Sequence, residues 1–85
     1  MLVFTVPSIK YVAQDSEWRT GQALFNLLPG GLANSVAGTS FDPFFRDLTD
    51  HELQEWIDNH LILNDKQEPI AVFHNNRILS ELSYS

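Results

Sequence analysis

Apolar positions recur at helical spacing over residues 18–28. One helical face of this run carries Trp18, Gly21, Leu24, Phe25 and Leu28. Asp15 or Ser16 lies just before the run and could cap its first turn, and Pro29-Gly30-Gly31 follows as a stop signal. The pattern therefore predicts an amphipathic helix over residues 16–28.

Two further helices are indicated downstream. Thr49-Asp50-His51-Glu52 has the spacing of a capping box, in which the Thr49 hydroxyl and the Glu52 carboxylate each accept a bond from the other residue's backbone N–H. An apolar face follows it, so a helix over residues 49–61 is predicted. A shorter helix is predicted over residues 31–37, with Gly38 at the left-handed position that ends it.

The two ends of the chain carry strand-like patterns. Residues 2–6 and 9–13 are rich in Val, Ile, Phe and Tyr and are split by Pro7, which favours two short strands or one broken edge strand. Residues 70–73 and 77–80 flank an Asn pair that suits a tight turn, so a hairpin is predicted there. A helix starting near Arg77 is the alternative.

These elements define an α+β fold with about three helices and short terminal strands, in a single domain over residues 1–85. Between the second and third helices lie Phe41, Phe44 and Phe45, which are too apolar to be left in water together. We expect at least two of these rings to be buried.

Charge and cysteine content narrow the functional classes. The chain has a net charge of -6 and its five cations are scattered, which disfavours binding to phosphate backbones and anionic lipid. We therefore expect neither direct nucleic-acid binding nor membrane association. The chain has no cysteine and begins without a signal-peptide pattern, so a cytoplasmic location is expected. The oligomeric state is left open.

No catalytic or metal-binding pattern stands out. The three histidines lack the spacing of a zinc site, and no nucleophile elbow or phosphate-binding loop is present. We therefore expect no metal, no cofactor and no catalytic residue. A small metal-dependent hydrolase that uses Asp42, Asp47 and a histidine is kept as an alternative.

Acidic residues concentrate in and just before the third helix. The candidate acidic surface consists of Asp47, Asp50, Glu55 and Asp58. These residues could simply form a solvated helix face. Alternatively, they could form a surface that binds a basic partner. Imitation of a phosphate backbone is a further alternative, although it usually needs a denser array of charge.

Two motifs resemble a known set of sequences. Arg19-x-Gly21-Gln22-x-x-Phe25-Asn26-x-Leu28 is followed by the loop Gly38-Thr39-x-x-Asp42-Pro43-Phe44. Over residues 18–44 the chain resembles small uncharacterised proteins of phages and bacteria. The resemblance implies a phage origin, and hence a bacterial host cytoplasm, and carries no activity with it.

The four polar residues of these motifs form the candidate site: Arg19, Gln22, Asn26 and Asp42. Gly21 inside a helix costs about 1 kcal/mol relative to Ala, which suggests close approach by the Asp42-Pro43-Phe44 loop. Gln22 and Asn26 could then bond that loop's backbone, and Arg19 could pair with Asp42 or Asp47. The set is thus either a structural clasp or a pocket for a ligand or partner.

The sequence favours an accessory protein that binds a host or viral protein as a regulator or inhibitor. Small size, acidic balance and the resemblance to phage proteins support this hypothesis. Besides the hydrolase, an oligomeric structural or assembly component is an alternative.

Overall fold

A computed structural model describes residues 3–82 of the chain. Four helices precede a three-stranded antiparallel sheet with strand order β1-β2-β3, which confirms the α+β class. The elements are α1 (Val6–Ser16), α2 (Thr20–Leu27), α3 (Gly30–Val36), α4 (Asp50–His60), β1 (Leu61–Leu63), β2 (Pro69–His74) and β3 (Arg77–Glu81). Within residues 3–82 no helix has the length and apolarity needed to cross a bilayer.

The strands predicted over residues 2–6 and 9–13 are wrong. Position 2 lies outside the described residues, and from Val6 onward the chain is the helix α1. The Thr5 hydroxyl accepts a bond from the Ser8 N–H, and Pro7 lies in the first turn, where a missing N–H costs nothing. Ile9 and Ala13 are buried one turn apart, so tertiary burial outweighs the β propensity of the local residues.

The predicted helix over residues 16–28 is instead the junction of two helices. α1 ends at Ser16, Glu17 takes a left-handed conformation (φ 58°), and α2 begins only at Thr20. Trp18 therefore lies between the helices and is 38% exposed, whereas the sequence placed it on the buried stripe. No pattern in the sequence indicated the left-handed conformation of Glu17, because Gly and Asn are the residues that usually occupy this position at the end of a helix.

The other two predicted helices are confirmed. α3 starts one residue before the predicted 31–37 range, and Gly38 follows it with φ +75°. α4 corresponds to the 49–61 prediction, and both bonds of its capping box are formed. The Thr49 hydroxyl accepts from the Glu52 N–H at 3.2 Å, and the Glu52 carboxylate accepts from the Thr49 N–H at 3.0 Å.

The predicted C-terminal hairpin is also confirmed as β2 and β3. Asn75 and Asn76 form its turn with φ 52° and 64°, the left-handed values that a two-residue turn requires. β1 was not predicted, because Leu61 was assigned to the end of the helix. β1 pairs antiparallel with β2, with a register shift between Ile62 and Leu63.

The core lies between the helices and the sheet. Helices α3 and α4 pack on the sheet, and α1 packs on α2 and α4. The side chains with no exposed area include Ile9, Leu24, Leu32, Val36, Leu53 and Val72. They come from all four helices and from the central strand, so a single core joins every helix to the sheet.

Candidate functional site

The Phe45 loop (residues 43–48) is packed directly against the start of α2. The backbone at Gly21 approaches this loop so closely that a Cβ there would collide with the carbonyl oxygens of Pro43 and Arg46. The Gly21 N–H donates to the Arg46 carbonyl at 3.0 Å. The close approach predicted from Gly21 is therefore present.

Thr20 makes the second link between α2 and the loop. Its hydroxyl donates to the Leu48 carbonyl at 2.8 Å and accepts from the Leu48 N–H at 2.6 Å. The Thr20 N–H donates to a carboxylate oxygen of Asp47 at 3.3 Å. The loop thus accepts bonds from the N–H groups of Thr20 and Gly21, the first two residues of α2, whose N-cap makes no side-chain bond.

Arg19 forms the third link. Its guanidinium donates two bonds, of 3.4 and 3.3 Å, to the Phe44 carbonyl. The guanidinium carbon lies 5.8 Å from the centre of the Phe44 ring and 5.9 Å from the centre of the Phe45 ring. These distances are within the range of cation–π attraction.

The three phenylalanines of this region have different environments. Phe44 is half-buried and meets Phe25 of α2 edge-on, with ring centres 5.4 Å apart. Phe41 is also half-buried, whereas Phe45 is 80% exposed and touches the Phe44 ring at 4.9 Å between centres. Phe45 and the Arg19 guanidinium beside it are termed the Phe45 surface.

The four predicted site residues form no hydrogen bond or ion pair with one another. Arg19 bonds the Phe44 carbonyl and forms no ion pair with Asp42 or Asp47, contrary to expectation. Asp42 instead organises its own turn, accepting from the N–H groups of Gly38 and Phe44 at 2.9 Å each. Among residues 3–82, the side chains of Gln22 and Asn26 have no hydrogen-bond partner, so the bonds expected from them to the loop are not formed.

The residues of the candidate acidic surface each have a partner within the chain. Asp47 holds Thr20, and Asp50 forms an ion pair with Lys10 of α1 at 2.9 Å. The other two interact within α4: Glu55 contacts His51 at 2.6 Å and Asp58 accepts from Gln54 at 3.0 Å. In the part of the chain that the structure describes, no three His, Cys, Asp or Glu side chains are grouped to hold a metal ion.

A ring cluster at the end of α4 was missed by the sequence analysis. Phe41 stacks on His60 at 4.3 Å and on His74 at 4.7 Å between ring centres. The Trp56 indole N–H donates to the Phe41 carbonyl at 2.7 Å. The sequence could not reveal this cluster, because its members come from a loop, a helix and a strand.

Within this cluster, burial lowers the pKa of His60, and the nearby His74 lowers it further, although the bond to the Phe73 carbonyl opposes the shift. That bond joins the His60 Nδ1 to the carbonyl at 3.2 Å. A carbonyl can only accept, so Nδ1 carries the proton of the neutral ring.

Comparison of the chain with protein-family models, curated proteins and solved structures finds no match. The resemblance to phage and bacterial proteins stays a prediction.

Proposed function

We propose that this protein is an accessory protein that binds a host or viral protein as a regulator or inhibitor, through the Phe45 surface. The observation that supports this most is the 80% exposure of Phe45 on a loop fixed to α2. The resemblance to phage proteins leads us to place the partner in a bacterial host cytoplasm.

The rigidity of the loop makes Phe45 suited to binding. Gly21, Thr20 and Arg19 all hold the backbone of the Phe45 loop, so little conformational freedom is lost when a partner covers the ring. An aromatic ring also gains much from leaving water, since it can bury ~150–250 Å². Aromatic residues, including Phe, are enriched at protein interfaces, where a few anchoring side chains carry most of the binding energy.

Arg19 indicates what the partner presents. The guanidinium has five N–H groups, and its bonds to the Phe44 carbonyl use only part of them. We expect a partner with an apolar pocket for the Phe45 ring and a carboxylate or carbonyl group at the rim of the pocket that meets Arg19. Such a pairing resembles the aromatic and arginine contacts found at many interfaces.

A comparison of Phe45→Ala with Tyr11→Ala tests the proposal. Tyr11 is a matched control, because it is an aromatic residue of α1 and 70% exposed. Each variant and the wild-type chain would be immobilised, exposed to host lysate, and the retained proteins quantified by mass spectrometry. The affinity of each retained protein, once purified, would then be measured against all three chains.

The expected result is a partner that binds wild type and Tyr11→Ala equally and Phe45→Ala about 30-fold more weakly, as at a binding hot spot. Both substitutions remove exposed side chains, so the melting temperatures should change little. Absence of any specific partner, or equal binding by Phe45→Ala, would overturn the proposal.

The hydrolase alternative has no observation in its favour. Asp42 and Asp47 both accept backbone N–H bonds of their own chain, and these bonds organise the turn and the start of α2. It stays a prediction that metal analysis of the purified protein would test.

A further inference from the structure

Two histidine rings and one phenylalanine ring meet where the loop before α4, the end of α4 and the end of β2 come together. Both imidazoles are stacked on Phe41, and their own centres are 5.3 Å apart. Stacked rings are separated by ~3.5 Å, so imidazoles on opposite faces of Phe41 would have centres about 7 Å apart. His60 and His74 therefore lie side by side on one face of the Phe41 ring.

The Phe41–His60–His74 cluster joins three segments of the fold. The His60 Nδ1–H donates to the Phe73 carbonyl, which attaches the end of α4 to β2. The Trp56 indole N–H donates to the Phe41 carbonyl, which attaches the loop to α4. All three rings of the cluster are half-buried, and burial disfavours the charged form of an imidazole.

The charged groups around the two imidazoles do not neutralise a positive charge there by direct bonding. The clefts on either side of His60 are lined by charged side chains of α4 and of the Phe45 loop: Arg46, Glu52, Glu55 and Asp58. Among residues 3–82, the three carboxylates bond neighbours in α4 or its N-cap and neither imidazole of the cluster. Arg77 lies across from His74 in the β2–β3 pair and brings a further cation to this side.

The cluster accommodates one added proton more readily than two. A single imidazolium ion gains from the face of the Phe41 ring. A second imidazolium ion, with its ring centre 5.3 Å from the first, meets like-charge repulsion in a half-buried environment. Burial and the charge of His74 accordingly lower the pKa of His60 from its ordinary value of 6.5, although the bond to the Phe73 carbonyl opposes this shift.

We propose that the Phe41–His60–His74 cluster is an acid-sensitive joint, which holds β2 and the loop on α4 and loosens when both imidazoles become protonated. The pKa of His60 is lower in the folded state than in the unfolded state, so the folded state binds this proton less readily. The contribution of the joint to stability is therefore full above about pH 6.5 and is lost as the pH falls through the folded pKa.

Nuclear magnetic resonance of the imidazole and indole protons between pH 7.5 and pH 5 tests the joint. In wild type, His60 should titrate below 6.5, and exchange of the Trp56 indole proton should accelerate in acid relative to that of the exposed Trp18. His74→Gln removes the second charge but keeps a polar side chain, so the pKa of His60 should rise and the Trp56 proton should stay protected. His51→Gln is the matched control and should behave like wild type, because the His51 side chain is on the same helix, is 83% exposed and lies outside the cluster.

The titration of wild type tests the proposal even if His74→Gln is unstable. A His60 pKa at or above 6.5 would overturn the joint, as would a Trp56 indole proton that is equally protected at both ends of the pH range. The same acid response in His74→Gln as in wild type would overturn it too. The test is independent of the Phe45 surface, since Phe45→Ala should respond to acid like wild type.

Discussion

The first turns of α2 and α4 are satisfied in opposite ways. At α4, Thr49 and Glu52 cap the helix from within four consecutive residues. At α2, no local side chain caps the helix, and the Phe45 loop supplies the carbonyl and carboxylate that its first N–H groups need. The partners of Thr20 are 27 and 28 residues away along the chain.

The first turn of α4 is therefore stabilised by neighbouring residues, whereas the first turn of α2 depends on a loop that is distant along the chain. α4 carries its own start signal, so its first turn can form early and survive changes elsewhere. The first two N–H groups of α2 bond to the loop, and the loop backbone is held by Thr20 and Gly21, so we expect the helix start and the loop to be stabilised together. The surface that we propose for binding is therefore supported by the more cooperative of the two regions.

The largest predicted effect is that of Gly21→Ala. In most helices this change stabilises by about 1 kcal/mol, because alanine is the better helix former. Here the added methyl group would collide with the carbonyl oxygens of Pro43 and Arg46, and backbone cannot yield as a side chain end can. We expect a loss of about 3 kcal/mol in the free energy of unfolding, measured by urea denaturation.

Gly31→Ala is the matched control for this prediction. Gly31 lies in α3, and a Cβ there would meet only the end of the Leu82 side chain, at the ordinary distance of 3.7 Å. This variant should be as stable as wild type or more so. Equal effects of the two substitutions would show that the contact at Gly21 does not hold the loop.

A smaller effect is expected for Thr20→Val compared with Thr49→Ala. Valine keeps the shape of threonine but leaves both the N–H and the carbonyl of buried Leu48 without their bonds to Thr20, at about 2 kcal/mol. Loss of the Thr49 cap should cost only about 1 kcal/mol. Thermal melts would rank the two, and Thr20→Ser, which keeps the hydroxyl, should recover most of the loss.

The reverse order of the two substitutions would contradict the comparison. It would mean that the local cap of α4 matters more than the docking of the loop on α2. Binding of a partner gives a second readout, because Thr20→Val should also weaken binding by loosening the loop that carries Phe45.

The sequence predicted the elements whose signals are local. The capping box at Thr49 and the asparagine turn at 75–76 each lie within a few residues, and both elements are present. α1 was missed because several of its residues have high β propensity, and burial against α2 and α4 favours the helix instead. The Thr5 cap followed by Pro7 was the available signal for that helix.

The candidate site was harder to predict for the same reason. Gly21 pointed correctly to a close contact, because a helical glycine is costly unless something needs the space. The partners of Arg19 and Asp42 could not be derived, since many carbonyls and N–H groups compete for such side chains. The stack of Phe41 on His60 and His74 depends on the packing of three separate segments and has no pattern in the sequence.

The smallest predicted effect is the pH dependence of the local cap. Bonds from Thr49, chiefly from its backbone N–H, lower the pKa of the Glu52 carboxyl below its ordinary value of 4.5. The folded state then binds this proton less readily than the unfolded state, so the contribution to stability is full above about pH 4.5 and is lost as the pH falls through the folded pKa.

The variant Glu52→Gln tests this pH dependence, because it keeps a side-chain oxygen for the Thr49 N–H but cannot titrate. Wild type should therefore lose more of its melting temperature than Glu52→Gln between pH 6 and pH 3, and the difference should be small because Glu52 is exposed. Parallel curves for the two chains would show that the carboxylate adds nothing to the cap beyond what an amide supplies.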